Sequence, residues 1–571
     1  MNEQQEKIRH SAAHVLAYAV QELYPKSQTT IGPAVEEGFY YDFDNLEITP
    51  EDFSKIEEKM KEIIKADYPF KKKEVKLSEI KKMFKGNKYK IEMAEEFAKT
   101  GEKLTIYTCG EFSDLCKGPH LESTGKIGAV KLMKTAGAYW RGKSDNQQLT
   151  RVYGIAFETK KELREYLQIV EQAKKRDHRK LGKDLELFSF HEEAPGMVFW
   201  HNKGTIIWNE LLKYWRKEHK KAEYQEIKTP ILLNKTLWEQ SGHCDHYKEN
   251  MYFTKIDEQD YALKPMNCPG GILVYKNKVH SYRELPLRMA EIGLVHRHEL
   301  SGVLAGLLRV RAFHQDDAHI YCTAETLREE LKKAIQLTDK IYKQFGFKYH
   351  VELSTKPEKA MGDPKLWETA EKELAEALKE LKMKYKINEG DGAFYGPKID
   401  FHLKDALGRT WQCGTLQLDF QMPIKFNLKY MGEDGTQNHQ PITLHRTIYG
   451  SIERFIGILL EHTGGKLPLW ASPIQVRILT VADRFNPYAE KIMQQMKQSN
   501  IRAEVDERTE SIGKKVREAQ LQKINYILVV GERELAEGTV TIRTRDNKIH
   551  GAKKAEIFIK QVVKEINKRQ N

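Results

Sequence analysis

Long apolar runs are absent from this chain of 571 residues. No segment approaches the ~20 consecutive apolar residues of a membrane-spanning helix. The first residues, MNEQQEKIRH, have no apolar core of a secretory signal, and neither a short-period repeat nor a low-complexity tract is present. We therefore expect a cytoplasmic protein of several globular domains, with no membrane partner.

Cysteine is scarce, with six residues in the chain, and none forms a CxxC pair or a disulfide-framework spacing. This usage predicts a reducing compartment. The 94 lysines and arginines outnumber the 82 acidic residues and give a net charge of +12. Such a basic excess fits a polyanionic partner such as a nucleic acid, although a generally lysine-rich composition has the same effect.

The stretch 291–322 reads EIGLVHRHELSGVLAGLLRVRAFHQDDAHIYC and carries the densest set of candidate binding residues. Two apolar runs, Ile292–Val295 and Leu307–Val310, flank a loop that contains glycine and serine. This arrangement predicts a β-hairpin with a longer loop.

Charged and aromatic side chains surround that loop. Arg297, Glu299 and Arg309 suit a polyphosphate with its metal ion, and Phe313 suits stacking on a base. Strand alternation places three further polar residues on one face of a following strand: Gln315, Asp317 and His319. Any one of these residues is also explained by an ordinary hairpin with a charged surface.

Two four-residue spacings mark the N-terminal region. An apolar face at helical spacing, from Ile8 to Leu23, predicts a helix that Pro25 ends near Tyr24. His10 and His14 share a neighbouring face of this helix, and Cys116 and His120 stand beside a Gly-Pro break. The HxxxH and CxxxH pairs predict a metal site, for which a merely polar helix face is the alternative.

Periodicity predicts further elements. Strands are expected at 38–44, 103–109, 392–401 and 409–420, and a further strand is expected to end at Pro230. One helix is expected in each of the segments 156–183, 203–219 and 357–384. The last hundred residues alternate between strand and helix. This order predicts a mixed or parallel sheet covered by helices.

Several motifs resemble those of class II aminoacyl-tRNA synthetases in the threonyl form. RHELSG with LLRVRAFHQDDAHIYC resembles motif 2, the long helix before TPIL resembles motif 1, and HRTIYGSIERFIGILLEH (445–462) resembles motif 3. HSAAH, CKGPH and GAYWRGKSDNQQLTRVYG (137–154) resemble the editing domain shared by threonyl- and alanyl-tRNA synthetases. The end of the chain resembles the anticodon-binding domain of the group that contains the His, Gly, Thr and Pro enzymes.

This resemblance covers nearly the whole chain and implies a multidomain α+β and α/β fold. The implied domains are an α+β editing domain (1–155), a linker helix (156–183), a class II core with an antiparallel sheet (184–470) and an α/β anticodon-binding domain (471–571). Most bacterial members begin with a further small β-rich domain of the TGS type. That domain is not in this sequence, which leaves open whether the chain is naturally short.

The resemblance also implies the site residues of the core. ATP, with Mg²⁺, would be bound by Arg297, Glu299, Arg309, Phe313, Gln412, Thr415 and Arg454. Arg297 and Lys398 would act in catalysis on the α-phosphate side. Zn²⁺ would be held by Cys268, His319 and His445. L-Threonine would be bound by Met266, Gln315, Asp317, Tyr395 and Gln417.

Two further sites follow from the same resemblance. The editing site would contain His10, His14, Lys90, Tyr107, Asp114, Cys116 and His120. In alanyl relatives the corresponding set resembles a zinc site, whereas in the threonyl family it binds the tRNA 3′ end and positions water without a required metal. Glu534 and Arg543, presented by the strands 526–530 and 539–543, would contact the anticodon.

The implied function is that of a homodimeric enzyme. It would activate L-threonine with ATP, transfer it to tRNA(Thr), and hydrolyse mischarged Ser-tRNA(Thr). Two other classes of protein are weighed against this interpretation. A synthetase-like RNA-binding regulator would be expected to lack Arg297, Arg454 or the metal trio, and a stand-alone ester hydrolase would not need residues 184–470.

Overall fold

The computed structural model of the protein describes residues 2–143 and 145–569. It falls into two compact units, residues 1–171 and 172–571, which are described separately. All six cysteines are free thiols. Within the described ranges, no helix has both the length and the apolar character needed to cross a membrane.

The first unit combines one long helix with two antiparallel sheets. Its helices, with the one that crosses into the second unit, are α1 (Glu3–Leu23), α2 (Phe53–Lys65), α3 (Leu77–Met83), α4 (Lys88–Lys99) and α5 (Lys160–Arg176). Its strands are β1 (Gln28–Thr29), β2 (Ala34–Val35), β3 (Gly38–Asp44), β4 (Lys71–Glu74), β5 (Thr105–Cys109), β6 (Phe112–Leu115), β7 (Ala129–Tyr139) and β8 (Gln148–Phe157).

Helix α1 is the central element of this unit. Asn2 caps its first turn by accepting a hydrogen bond from the Gln5 N–H at 2.8 Å. The helix ends at Leu23, as the following proline predicts. Its apolar face is fully buried against the sheet of order β1-β3-β8-β7, with β2 paired to β3. Strands β4, β5 and β6 form a second, smaller sheet in that order.

The predicted single linker helix is wrong, because the segment forms two helices. α5 ends at Arg176, and α6 (His178–Asp184) begins after Asp177. The Asp177 carboxylate accepts a hydrogen bond from the Arg179 N–H at 2.8 Å, so it caps the new helix. None of the side chains of α5 is buried.

The second unit begins with the largest hydrophobic core of the chain. Its further helices, up to residue 474, are α7 (Asn202–Lys221), α8 (Lys235–Gln240), α9 (His243–His246), α10 (Cys268–Tyr275), α11 (Ala324–Gln344), α12 (Pro364–Glu380), α13 (Gln421–Lys425) and α14 (Ile452–Thr463). Its strands are β9 (Phe188–Ser189), β10 (Phe199–Trp200), β11 (Gln225–Glu226), β12 (Leu232–Asn234), β13 (Tyr252–Ile256), β14 (Gln259–Leu263), β15 (His280–Ser281), β16 (Leu287–His296), β17 (Ala312–Cys322), β18 (Lys348–Ser354), β19 (Tyr385–Asn388), β20 (Lys398–Lys404), β21 (Thr410–Asp419), β22 (Tyr430–Met431) and β23 (Ile442–Thr447).

An eight-stranded sheet organises this part, in the order β11-β16-β17-β23-β21-β20-β18-β19. The six central strands pair antiparallel, and the two outermost pairs are parallel. The β16–β17 hairpin confirms the predicted hairpin, but Ile292–Val295 pair with residues 313–316, and the loop runs from 297 to 311. The run Leu307–Val310 is therefore not a strand. Its backbone instead bonds other elements, since Leu307 N–H donates to His178 and Leu308 carbonyl accepts from Arg454.

Two other strand predictions are too long. The strand expected to end at Pro230 stops at Glu226, because the N–H and hydroxyl of Thr229 donate to the Glu291 side chain of β16 rather than to the backbone of that strand. The strand expected over 392–401 begins only at Lys398. Ahead of it, Ala393 and Gly396 bond each other across a tight turn.

The C-terminal part confirms the predicted mixed sheet. Its helices are α15 (Asn486–Gln498), α16 (Ile512–Leu521), α17 (Glu532–Glu537) and α18 (Ala555–Lys568), and its strands are β24 (Val476–Thr480), β25 (Ala503–Asp506), β26 (Tyr526–Val530), β27 (Thr539–Thr544) and β28 (Ile549–Lys554). The sheet order is β25-β24-β26-β27-β28, parallel in its first three strands and antiparallel in the rest. Helix α17 and strand β28 are not predicted by the periodicity.

Candidate active sites

The main cleft of the second unit opens over one face of the eight-stranded sheet and has a volume of about 460 Å³. Pairing register sets its floor. His319 lies opposite His445, which lies opposite Gln417. One step along, Thr447 lies opposite Thr415, which faces Asp400 on the next strand. Because side chains two residues apart share a face, the rows of polar residues stack into one surface.

Four arginines line this cleft. Arg446 is buried near Asp316, and the other three are Arg297, Arg309 and Arg454. Burial lowers the pKa of Arg454, and the positive charges of Arg309 and Arg297 lower it further. Glu299 offsets part of this charge at close range, with an Arg309–Glu299 distance of 2.9 Å. The Arg297 guanidinium lies 5.1 Å over the Phe313 ring. The cleft therefore holds a positive charge cluster suited to an anion with several charges.

Gln412, Thr415 and Lys398 meet at one buried carboxylate, that of Asp400. The Gln412 amide donates to Asp400 at 2.7 Å and the Thr415 hydroxyl at 2.8 Å. The Lys398 ammonium lies 2.5 Å from the same group and 3.0 Å from Asp391. Gln412 and Thr415 line the cleft, whereas Lys398 is not among its lining residues.

Cys268, His319 and His445 converge at the inner end of the cleft, and their ligand atoms all lie within 4.8 Å of one another. All three residues are buried. The Nε2 atom of His319 is buried without a hydrogen-bond partner, whereas Nε2 of His445 donates to Asp419 at 2.8 Å. Burial lowers the pKa of His319 to about 4, so its imidazole is neutral. An orphaned neutral nitrogen beside a thiol and an oriented imidazole fits a bound metal ion.

The predicted threonine residues line the cleft next to this trio. Asn267 donates to Asp317 at 3.2 Å and fixes that carboxylate. The Gln417 amide donates to the Gly396 carbonyl at 3.1 Å. Tyr395 packs beside His445, with ring centroids 5.4 Å apart, and the remaining two members of the set are Met266 and Gln315.

The first unit gathers a second cluster where α1 meets the end of β6. The ligand atoms of His10, His14, Cys116 and His120 all lie within 4.8 Å of one another. Cys116 Sγ lies 3.2 Å from Nε2 of His10 and 3.3 Å from Nε2 of His120. Burial raises the pKa of the Cys116 thiol to about 12 and lowers the pKa of each histidine. The cluster is therefore uncharged at neutral pH.

A charged layer lies beneath these four residues. Lys90 and Asp114 are buried and form an ion pair, which Tyr41 joins by donating to Asp114 at 2.5 Å. Nε2 of His14 lies 3.7 Å from the same carboxylate. Tyr107 packs against the His120 ring at 4.5 Å between centroids. All seven residues predicted for this site thus lie together.

The two predicted anticodon residues lie on different elements. Arg543 is in β27, where it is half-buried and its Nε atom has no hydrogen-bond partner. Glu534 was expected to be presented by the sheet strands, but it lies in the short helix α17. Its carboxylate accepts hydrogen bonds from the Gly531 N–H at 3.0 Å and the Thr541 hydroxyl at 2.7 Å. Glu534 therefore already caps α17 and ties it to β27.

Comparisons with known proteins match all three regions. Residues 252–463 match the tRNA synthetase class II core domain (G, H, P, S and T), 475–569 the anticodon binding domain, and 104–153 the threonyl and alanyl tRNA synthetase second additional domain. The threonine–tRNA ligase of Carboxydothermus hydrogenoformans is 56% identical over 571 residues, covering 100% of this chain and 90% of the relative. The chain belongs to the threonine–tRNA ligase family.

Further comparisons support the same family. The threonine–tRNA ligase of Syntrophomonas wolfei is 58% identical over 564 residues, covering 98% of this chain and 88% of the relative. The crystal structure of the RNA binding domain of threonyl-tRNA synthetase from Cryptosporidium parvum Iowa II has a TM-score of 0.66 at 43% identity, covering 68% of this chain and 98% of that one. The predicted family and fold class are confirmed. Ser144, inside the predicted editing motif, lies outside the described residues.

Sequence reasoning missed the residues that hold the family's functional side chains in place. Asp316 is fully buried and accepts hydrogen bonds from the N–H groups of Ile448, Tyr449 and Gly450, the turn that leads into α14. His178 is buried as well; its Nδ1 donates to Glu461 at 2.7 Å, and its Nε2 accepts from Leu307. Asp400, Asp419 and Asn267 have comparable roles. The adjacent pair Asp316 and Asp317 was the one available signal in the sequence. Strand alternation sends these two carboxylates to opposite faces, so only one of them can face the cleft.

Proposed function

We propose that this chain activates L-threonine with ATP, transfers it to tRNA(Thr), and hydrolyses Ser-tRNA(Thr). One observation carries the proposal: a cleft that contains Arg297, Arg309 and Arg454 ends at a buried thiol and two imidazoles. The arginines suit a nucleoside triphosphate, and the trio suits a metal that reads a small amino acid. Both binding functions are required for an amino acid to react with ATP.

In the proposed ATP site, Arg297 binds the α-phosphate and the amino acid carboxylate, and Arg454 binds the γ-phosphate with Arg309 beside it. Arginine suits these places because its planar fork binds phosphate oxygens in pairs. Glu299 accepts from the adenine amino group, and Phe313 stacks on the ring. Mg²⁺ accompanies the triphosphate.

Gln412 and Thr415 contact the nucleotide from the sheet, held in place by Asp400. Lys398, which shares that carboxylate, contributes positive charge behind the α-phosphate rather than direct contact. The reaction is an in-line displacement at phosphorus, so positioning and charge stabilisation supply most of the catalysis.

In the proposed amino acid site, Cys268, His319 and His445 hold Zn²⁺. Three protein ligands leave a coordination position open, and a zinc ion there supplies a Lewis acid for the amine and hydroxyl of threonine. Asp419 orients His445 through Nε2, which leaves Nδ1 for the metal. Asp317 accepts a hydrogen bond from the zinc-bound amine, and the remaining pocket residues, Met266, Gln315, Tyr395 and Gln417, shape the space around the side chain.

This pocket discriminates unequally between the two near relatives of threonine. Valine lacks the hydroxyl and leaves polar groups unmatched, so it is rejected strongly. Serine lacks only a methyl group, which is worth roughly 1–3 kcal/mol, or about 10- to 200-fold. Synthesis alone therefore produces Ser-tRNA(Thr), and a hydrolytic site is needed.

The cluster of the first unit is proposed as that hydrolytic site. His10, His14, Cys116 and His120 position water and the tRNA 3′ end, with Lys90, Tyr107 and Asp114 supporting them. The thiol and imidazoles are neutral, and a neutral imidazole can accept a proton from water. A positioning role for Cys116 is favoured over nucleophilic attack, because its raised pKa leaves little thiolate.

We assign residues 1–155 to editing, 156–183 to a connector, 184–470 to activation and transfer, and 471–571 to anticodon binding. In the last of these, Arg543 contacts a base, supported by its half-buried position and unsatisfied Nε. Glu534 contributes indirectly by holding α17. The proposed working form is a cytoplasmic homodimer.

Amino-acid-dependent ATP–pyrophosphate exchange tests the activation half. We expect threonine to support exchange best, serine to support it weakly, and valine to give none above background. Exchange with proline, histidine or glycine at the threonine rate would overturn the substrate assignment.

Deacylation tests the editing half. The double change His10→Ala with His14→Ala should leave threonine-dependent exchange near the parental rate and let Ser-tRNA(Thr) accumulate. A variant that cleared preformed Ser-tRNA(Thr) as fast as the parent would show that hydrolysis occurs elsewhere. Thr108→Ala, on the neighbouring strand β5 and hydrogen-bonded to Ser113 at 3.0 Å, is the control for a local change outside the cluster.

A further inference from the structure

A third group of metal-ligating side chains lies on the eight-stranded sheet, apart from the two clusters described above. His350 and Glu352 are in β18, and His402 is in β20. Residues two apart on a strand share a face, and the pairing register places His402 directly opposite His350. The ligand atoms of the three residues all lie within 4.8 Å of one another.

The two imidazoles point to the same carboxylate. Nε2 of His350 donates to Oε1 of Glu352 at 3.0 Å. Nε2 of His402 lies 3.4 Å from Oε2, but it is buried and makes no hydrogen bond. The two rings stack nearly parallel, with centroids 4.9 Å apart and planes at 11°. Their Nε2 atoms and one carboxylate therefore surround a common point.

The contacts within the protein leave this group unsatisfied. The hydrogen bond between His350 and Glu352 satisfies only one of the two imidazoles. The buried Nε2 of His402 is left without a partner, which costs free energy until something binds it. A neutral imidazole nitrogen with a free lone pair is the form that binds metals.

We propose that His350, Glu352 and His402 form a further metal site, which takes a divalent transition-metal ion of the Zn²⁺ class. Two imidazoles and one carboxylate are ligands of the type that zinc, nickel and cobalt accept. The side chains are 41%, 20% and 19% exposed, so an ion can enter from solvent and complete its coordination with water. The Asn388 amide lies 3.4 Å from Glu352 and orients its carboxylate.

An ion at this point would join two strands that also carry part of the nucleotide face. Glu352 lies opposite Asp400, the carboxylate that holds Gln412 and Thr415. The site is therefore a clamp between β18 and β20 beside the cleft, without contributing a ligand to it. An ion that binds only the folded state would raise the free energy of unfolding by RT ln(1 + [ion]/Kd).

Cobalt titration of the full chain tests the proposal, because this site has no thiol. Co²⁺ bound here should give visible d–d bands without the near-ultraviolet thiolate band expected at a cysteine-containing site. The double variant His350→Ala with His402→Ala should bind one ion fewer per chain at saturation, with the thiolate band unchanged. Threonine-dependent pyrophosphate exchange should remain, since neither residue lines the cleft.

Two further variants make the result decisive. His191→Ala with His201→Ala removes two other neighbouring histidines, which meet at Ser189 without a carboxylate, and should keep the parental stoichiometry. Glu352→Gln keeps the side-chain shape and should weaken binding at this site at least tenfold. Equal cobalt stoichiometry and equal affinity in the parent, the double variant and Glu352→Gln would overturn the proposal.

Discussion

The carboxylate of Asp316 should hold the motif 3 turn in place, and Asp316→Asn tests this. Burial raises its pKa to about 6, so it is ionised at neutral pH. Oδ1 accepts from Gly450 at 2.9 Å, Oδ2 accepts from Tyr449 at 3.0 Å, and Ile448 lies between the two. Asparagine has one accepting oxygen, so either Gly450 or Tyr449 must lose its partner.

The size of the effect follows from two losses. An orphaned buried N–H costs about 1–3 kcal/mol. The Arg446 guanidinium, fully buried 3.9 Å from Asp316, also loses its counter-charge. Breaking a buried ion pair costs about 3–5 kcal/mol, but Arg446 keeps a contact of 2.8 Å with His219, so we take about 2 kcal/mol. The expected local destabilisation is about 3–5 kcal/mol.

Hydrogen exchange measures this change at the turn itself. Amides 448–450 should exchange at least about a hundredfold faster in Asp316→Asn, since 1.4 kcal/mol is a factor of ten. The KM for ATP should also rise, because the turn leads into Ser451 and Arg454. Asp434→Asn is the control: that carboxylate is 53% exposed and accepts from Thr436, so its loss should leave amides 448–450 unchanged. Unchanged exchange in Asp316→Asn would refute the reasoning.

Three other predictions concern the proposed sites. The purified protein should carry one zinc per chain at the core trio, besides any ion held by His350, Glu352 and His402, so Cys268→Ser should lose one zinc per chain and Cys116→Ser none by elemental analysis; the reverse pattern would move this zinc to the first unit. Arg454→Ala should raise the KM for ATP far more than that for threonine in pyrophosphate exchange, and unchanged ATP dependence would reject its phosphate role. Arg543→Ala should reduce charging of tRNA(Thr) while exchange stays intact, and equal losses in both assays would indicate misfolding.

The parts of the fold that were predictable are those with local causes. Helix α1 ends where Pro25 requires, and alternation along β17 correctly sends Gln315, Asp317 and His319 to one face. Both depend on the geometry of a single element. The same reasoning made the hairpin loop too short, because the backbone of Leu307 and Leu308 bonds to His178 and Arg454, which are distant in sequence.

The candidate sites show the same division. Resemblance brought together side chains that the sequence separates by up to 177 positions, such as Cys268 and His445, and the structure places them within one cluster. For this core trio, it supplied none of the buried groups that orient the ligands. Asp400 and Asp419 look like ordinary strand residues in the sequence, and only the pairing of β20, β21 and β23 shows what each carboxylate holds.

Helix α5 should be one of the least stable helices of the protein. A helix of this length depends on tertiary packing for most of its stability, and no side chain of α5 is buried. It should therefore open locally at a small cost in free energy, long before the chain unfolds globally. Fast amide hydrogen exchange along residues 160–176 would show this, and a protease that needs an opened helix should find its first cleavage site there.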